Sequence, residues 1–202
     1  MSRPYAHILN FFAVAILFLG LFGFLYADAG VLFRKRPAEN LPVIGDAPVA
    51  TMMNSQGETW STESLRGKIW TFNFFFTSCE HVCPTIVRNI QDVQNGFTGN
   101  GEPFAVAVSV EPETDTPEAM RAFVEKHALN TQRWQLLRAP IEDVKALSEK
   151  QLKVALGPEA SLHSNRVFLI DRKGKIRGSY LALKKDEMAR LAKDLVQVAR
   201  ES

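Results

Sequence analysis

Cysteine is nearly absent from this chain: its 202 residues include two, Cys79 and Cys83. One disulfide at most can form, so the fold must rest on a hydrophobic core rather than on covalent staples. Charge of one sign is missing as well. The 24 basic and 22 acidic residues leave a formal net charge of +2 and lie scattered. No basic block points to nucleic acid, and no acidic tail appears. Nothing repeats at a fixed period. Histidine is scarce too, with four in the chain, so any imidazole chemistry has few candidates.

One long apolar run is present. Ile8 to Ala27 reads ILNFFAVAILFLGLFGFLYA and carries no charge. A helix of that length spans about 30 Å, the thickness of the hydrocarbon layer. A secretory h-region is shorter, about 7–15 residues. Residues 1–30 are therefore expected to be an uncleaved single-pass membrane anchor. The rival is a signal sequence cut near Ala27-Asp28-Ala29. A buried core helix fits poorly, because the run is apolar all round. Residues 31–45 follow as a linker, with Pro37 and Pro42 and no periodicity. Arg34, Lys35 and Arg36 outnumber Arg3 across the run, and the positive-inside rule alone would keep the remaining chain in the cytoplasm.

Residues 46–202 carry the pattern of an α/β domain. VATMMNSQGETW (49–60) predicts a hairpin turning at Asn54–Gly57, and STESLRGK a single turn capped by Ser61 or Thr62 and ended by Gly67. Strands are expected at 69–76, 104–110, 134–139, 166–171 and 176–181, the last two joined by a turn at Arg172–Lys175. Helices are expected at 84–97, 116–128, 141–152 and 184–200. Pro117 should stand at a first helical position. Alternation of this kind implies a partly parallel sheet covered on both faces, made mixed by the terminal hairpin.

The two cysteines fall where the first such strand meets the first such helix, in FNFFFTSCEHVCP (72–84). Spacing of i and i+4 allows them to share a helix face. Pro84 at the first helical position would put Cys83 at the N-cap and Cys79 in the preceding turn. Both sulfurs then gather at a helix N-terminus, where the dipole and free N–H groups favour thiolate. The end of such a strand is also where open α/β sheets place their sites. Two thiolates suit a soft metal, Cu(I) or Zn. An imidazole would complete the set. His81 lies between the cysteines, and His163 precedes a strand whose entering loop can approach the first helix. His7 and His127 are expected to face solvent. A structural disulfide across three residues would stabilise weakly, and inert buried thiols fit poorly beside polar Ser78, Glu80 and His81.

Three segments, TFNFFFTSCEHVCP, VSVEPETDTPEAM and LHSNRVFLIDRKGKIRG, together resemble the Sco/SenC family over roughly residues 45–200. The resemblance implies an N-terminal anchor followed by a thioredoxin-like domain, with a mixed sheet flanked by helices. It implies copper, as Cu(I) or Cu(II), held by Cys79, Cys83 and His163. It further implies a metallochaperone in assembly of the CuA centre of cytochrome c oxidase. The partners would be the oxidase subunit carrying that centre, another periplasmic copper chaperone or a thioredoxin-like reductase. The soluble domain would face the periplasm from the inner membrane, against the charge count above. Three positions depart from the family pattern: Glu80 stands for the usual proline, His81 for an acidic residue and Glu111 for the first aspartate of DPxxDTPE. Asp115 is in place, and turn or helix-start chemistry is expected of it, with Asp115 or Thr116 as the cap.

Two other chemistries compete. A thiol–disulfide oxidoreductase would use Cys79 and Cys83 as its redox pair, against a spacing longer than C-x-x-C. A peroxidase of the peroxiredoxin kind lacks its P-x-x-x-T-x-x-C pattern here. A tethered interaction domain without chemistry leaves the thiols unexplained.

Overall fold

The computed structural model describes residues 40–97, 103–153 and 165–201, which belong to one compact unit. The expected anchor and His163 lie outside the described residues, as does most of the linker.

The chain begins with a short strand β1 (Gly45–Asp46) and a hairpin, β2 (Thr51–Asn54) and β3 (Thr59–Ser61). The hairpin turns through Gly57 at φ 82°, a left-handed conformation that glycine adopts without steric cost. Ser61 caps the 3₁₀ turn Thr62–Leu65 by accepting from the Glu63 N–H, and Gly67 follows at φ 79°. Strand β4 (Trp70–Phe75) comes next, then helix α1 (Val82–Gly96). The remaining order is β5 (Phe104–Ser109), α2 (Pro117–Lys126), β6 (Trp134–Arg138), α3 (Ile141–Ala146), β7 (Arg166–Ile170), β8 (Lys175–Leu181) and α4 (Lys185–Glu201). After Ala146 the expected single helix loosens into a π turn, Leu147–Gln151.

Among the described residues the strands form one mixed sheet in the order β1-β8-β7-β4-β5-β6-β2-β3. β4 is central, parallel to β5 on one side and antiparallel to β7 on the other. All six of its residues are buried. Its side chains alternate between two cores, as the two-residue period of a strand requires. Ile69 and Phe75 join Cys83, Ile86, Ile90, Phe123 and Leu191 beneath α1, α2 and α4. Trp70, Phe72 and Phe74 join Val106, Leu137 and Val144 on the face covered by α3 and the hairpin.

Three polar locks hold the helices to this sheet. Gln94 of α1 donates to the Pro103 carbonyl at 2.8 Å and accepts from the Trp134 indole N–H at 2.7 Å. Buried Arg177 pairs with Asp171 at 3.0 Å and with Glu201, and also donates to the Leu41 carbonyl at 2.6 Å. That ties the start of the described chain to the end of α4. Tyr180, fully buried, donates to Asp194 at 2.7 Å and lies under the Arg190 guanidinium, 4.4 Å from the ring centre. The Tyr180 ring lies over Gly178, where a Cβ would collide with the hydroxyl and ring carbons.

Gly178→Ala is therefore expected to displace Tyr180 and to destabilise the fold by about 1–3 kcal/mol, the usual cost of overpacking. Urea unfolding of the full-length chain measures it. An unchanged midpoint would mean that Tyr180 does not need the space above Gly178.

Candidate metal centre

β4 ends at Phe75 among buried neighbours, and the chain then leaves the sheet in a tight turn. The Cys79 N–H closes that turn on the Phe76 carbonyl at 3.4 Å. Helix α1 starts at Val82, two residues earlier than Pro84 predicts, with His81 at the N-cap. Proline is tolerated here because first-turn N–H groups have no intrahelical acceptor. Cys83 therefore lies inside the first turn rather than at the cap. The His81 side chain makes no capping bond. Instead the Cys79 sulfur accepts the free N–H of Cys83 at 3.1 Å. A sulfur thus takes the place that a Ser or Asp oxygen occupies at most helix starts.

The two thiols form no disulfide and differ in surroundings. Cys79 is half-buried, whereas Cys83 is 1% exposed and packs into the core with Ile86 and Phe123. Burial pushes the Cys83 thiol well above the usual range. Its hydrogen bond with Cys79 adds to the rise, and a backbone hydrogen bond with Phe76 opposes it. At Cys83 the expected lowering by the helix start is overturned, because desolvation outweighs the dipole. In the folded protein this thiol keeps its proton at neutral pH.

Two of the four histidines lie among the described residues. His81 is exposed, and among the described residues no three His, Cys, Asp or Glu side chains gather as a metal-binding group. His127 is not simply solvent-facing: its ring stacks on Phe123 at 4.3 Å, and burial lowers its pKa. His7 and His163 lie outside the described residues. The chain just after His163 is described. β7 runs antiparallel to β4, with Phe168 opposite Phe72, so its first residues lie at the edge where β4 ends. The Asn165 carbonyl accepts from Ala182 N–H at 2.7 Å, and the Ala182 carbonyl accepts from Asn89 of α1 at 2.7 Å. The start of β7 is thereby fastened to the helix that carries Cys83.

The β5–α2 loop supplies residues that the sequence expectation misassigns. Thr116 is the N-cap of α2, accepting from Ala119 N–H at 3.3 Å, and Pro117 stands at its first position as expected. Asp115 does no capping. It is fully buried and accepts from the Thr77 N–H at 2.9 Å, from the Thr77 hydroxyl at 2.6 Å and from the Ser109 hydroxyl. Glu111 accepts from the Ser78 hydroxyl at 3.0 Å. Both acidic positions of the motif thus reach across to the cysteine turn. A signal for this exists in the sequence: Thr116 already serves as the cap, so Asp115 beside it is spare.

The SCO1/SenC family description matches residues 50–200. The SCO1 protein homolog of Bacillus subtilis (strain 168) is 29% identical over 136 residues, spanning 64% of this chain and 70% of that protein. BsSco, a member of the Sco family of cytochrome c oxidase assembly proteins, superposes with a TM-score of 0.70 at 23% identity, over 80% of this chain and 98% of that one. Arabidopsis thaliana ScoI with copper bound superposes with a TM-score of 0.63 at 18% identity, over 79% of this chain and 99% of that one. The fold is thioredoxin-like, a mixed sheet flanked by helices. The chain belongs to the SCO1/SenC family.

The state of Cys83 predicts a pH dependence. The thiol of the unfolded chain loses its proton at about pH 8.5, the ordinary value for a free cysteine. Folded Cys83 keeps its proton above that. The unfolded state then binds fewer protons, so stability falls as pH rises. Tyr180, also pushed up by burial and by its bond to Asp194, adds the same sign above about pH 10. For the reduced, metal-free protein the unfolding midpoint should drop between about pH 8.5 and 10, and Cys83→Ala should flatten that drop. An equal slope in both proteins would contradict the assignment.

Proposed function

We propose that this chain is a membrane-tethered copper carrier that serves assembly of the CuA centre of cytochrome c oxidase. The observation that carries the reading is the pairing of Cys79 and Cys83 at the end of β4, where the start of β7 also arrives. Family membership supports the assembly role, and the copper-bound relative supports the metal.

In this reading Cys79 and Cys83 bind Cu(I), and His163 supplies the third ligand. A soft S₂N donor set suits copper. Cys79, half-buried, meets the ion first, and buried Cys83 exchanges its proton for it. Two thiols and a neutral imidazole need no covalent change in a substrate, so the ion passes to the partner by ligand exchange. Residues 8–27 anchor the chain, and the domain works on the periplasmic side. A second reading has one observation in its favour. A half-exposed thiol beside a buried one is also how an attacking and a resolving cysteine are arranged. The chain would then reduce the cysteines of a partner copper site.

Titration of the reduced full-length chain with Cu(I), free of oxygen, separates the two. A carrier binds one ion per chain, loses it in Cys79→Ser and in Cys83→Ser, and holds it more weakly in His163→Ala. Absence of binding, with rapid cycling between dithiol and disulfide, would replace the carrier with the reductase.

A second expectation follows from the protonated Cys83. Ion uptake must release at least that proton, so the apparent affinity should rise about tenfold per pH unit for each proton released. Competition with a chromophoric chelator between pH 6 and 8, after correction for the chelator's own protonation, measures it, roughly within the range where free thiols hold their protons. A pH-independent affinity would mean that Cys83 is not a ligand.

A further inference from the structure

We propose that Asp115 and Thr77 are positioning residues for the thiol pair: the Asp115 carboxyl pins Thr77, and through it the turn that presents Cys79 to the metal beside Cys83.

At its two ends the turn is held by Phe76 and Cys79, which pack against the core, and by the Cys79 sulfur, which accepts the Cys83 N–H; Thr77 and Ser78 between them are held from the β5–α2 loop. The turn leaves β4 at Phe75, and its own closure is the long Cys79–Phe76 backbone bond. Between those points Thr77 gives both its N–H and its hydroxyl to one oxygen of Asp115. Two donors on one acceptor fix both the backbone position and the χ1 rotamer of Thr77. The other Asp115 oxygen is held by Ser109, the last residue of β5. Ser109 in turn accepts the Glu111 N–H at 3.0 Å, and Glu111 holds Ser78. The loop that reaches across is itself braced, since Thr114 and Asp115 N–H groups both return to the Glu111 carbonyl. So two successive residues before Cys79 are each gripped by a carboxyl group from the β5–α2 loop. The inner grip is buried and makes three bonds. A buried carboxyl is tolerated only when it is satisfied in this way, and its bonds are correspondingly costly to break.

Metal binding needs this grip. Cys83 is fixed by core packing, but Cys79 stands on the turn. A slack turn would leave one sulfur placed and the other wandering, and the ordering would have to be supplied at each binding event. The metal half of this inference rests on the copper reading above; the positioning half does not.

Thr77→Val keeps the shape and the N–H but removes the hydroxyl donor. Thr77→Ser keeps the hydroxyl. Both are compared with the wild type as reduced full-length chains, first without metal by amide hydrogen exchange, then by Cu(I) competition. In Thr77→Val, exchange across residues 77–83 should quicken about tenfold, as for one lost hydroxyl–carboxyl bond, while β5 and β6 stay unchanged. Cu(I) affinity should weaken by a similar factor. Thr77→Ser should restore both. Asp115→Asn is the second variant, read in the same way if Thr77→Val does not fold. Unchanged exchange at 77–83 would overturn the proposal, as would quickening throughout the domain. Local quickening with unaltered Cu(I) affinity would overturn it too. If the wild type binds no Cu(I), the carrier reading fails. Local quickening alone then still upholds the positioning of the thiols.

Discussion

β4 cannot move, and the rest of the molecule depends on that. It is hydrogen-bonded on both edges, to β5 and β7, and covered on both faces by separate cores. Displacing it would expose Phe72, Phe74 and Phe75, each almost fully buried, at about 25 cal/mol per Å² of apolar surface. A strand so held delivers whatever follows it to a fixed point. Here the six residues 76–81 follow, and then a helix whose first turn contains Cys83. The sheet topology brings two further segments to the same edge: the β5–α2 loop, because β5 is parallel to β4, and the start of β7, because β7 is antiparallel.

The site divides its electrostatic work between two buried groups. Cys83 stays neutral in the absence of a cation, since its surroundings offer no charge to offset a thiolate. Asp115 is equally buried and carries three donors from neighbouring strands and turns. The first is held by core packing, and the second by hydrogen bonds from Thr77 and Ser109. The family departures fit this division. Glu111 stands where the family has aspartate, and its longer side chain still reaches Ser78. Glu80 and His81 replace residues on the turn where, among the described residues, both side chains are exposed.

Much of this was legible in the sequence, and the reasons differ by element. Strands β4, β5 and β7 stand out because both faces are buried, which writes long apolar runs into the chain. Thr116 and Pro117 mark the start of α2 by purely local chemistry, and Gly57 marks the hairpin turn. The start of α1 was misjudged by two residues. Pro84 is compatible with any position in a first turn, and only the N–H to sulfur bond decides among them. The elevated Cys83 pKa was missed because dipole arguments are local, whereas desolvation depends on α2 and the core residues packed over the thiol. The partners of Asp115 were missed for the same reason. Thr77 lies 38 positions away in the chain, so a spare Asp115 beside the cap hints at a role without naming its partner. The π turn after α3 has no sequence signature that separates it from ordinary helix.

In the proposed carrier, two sulfurs on one strand-to-helix turn, with His163, make a single copper site. X-ray absorption at the copper edge tests it most directly, on the full-length chain loaded with one equivalent of Cu(I). The expected coordination shell is two sulfurs and one imidazole nitrogen, with the imidazole scattering lost in His163→Ala and one sulfur lost in Cys79→Ser. A shell of nitrogen and oxygen alone, unchanged by either substitution, would contradict it.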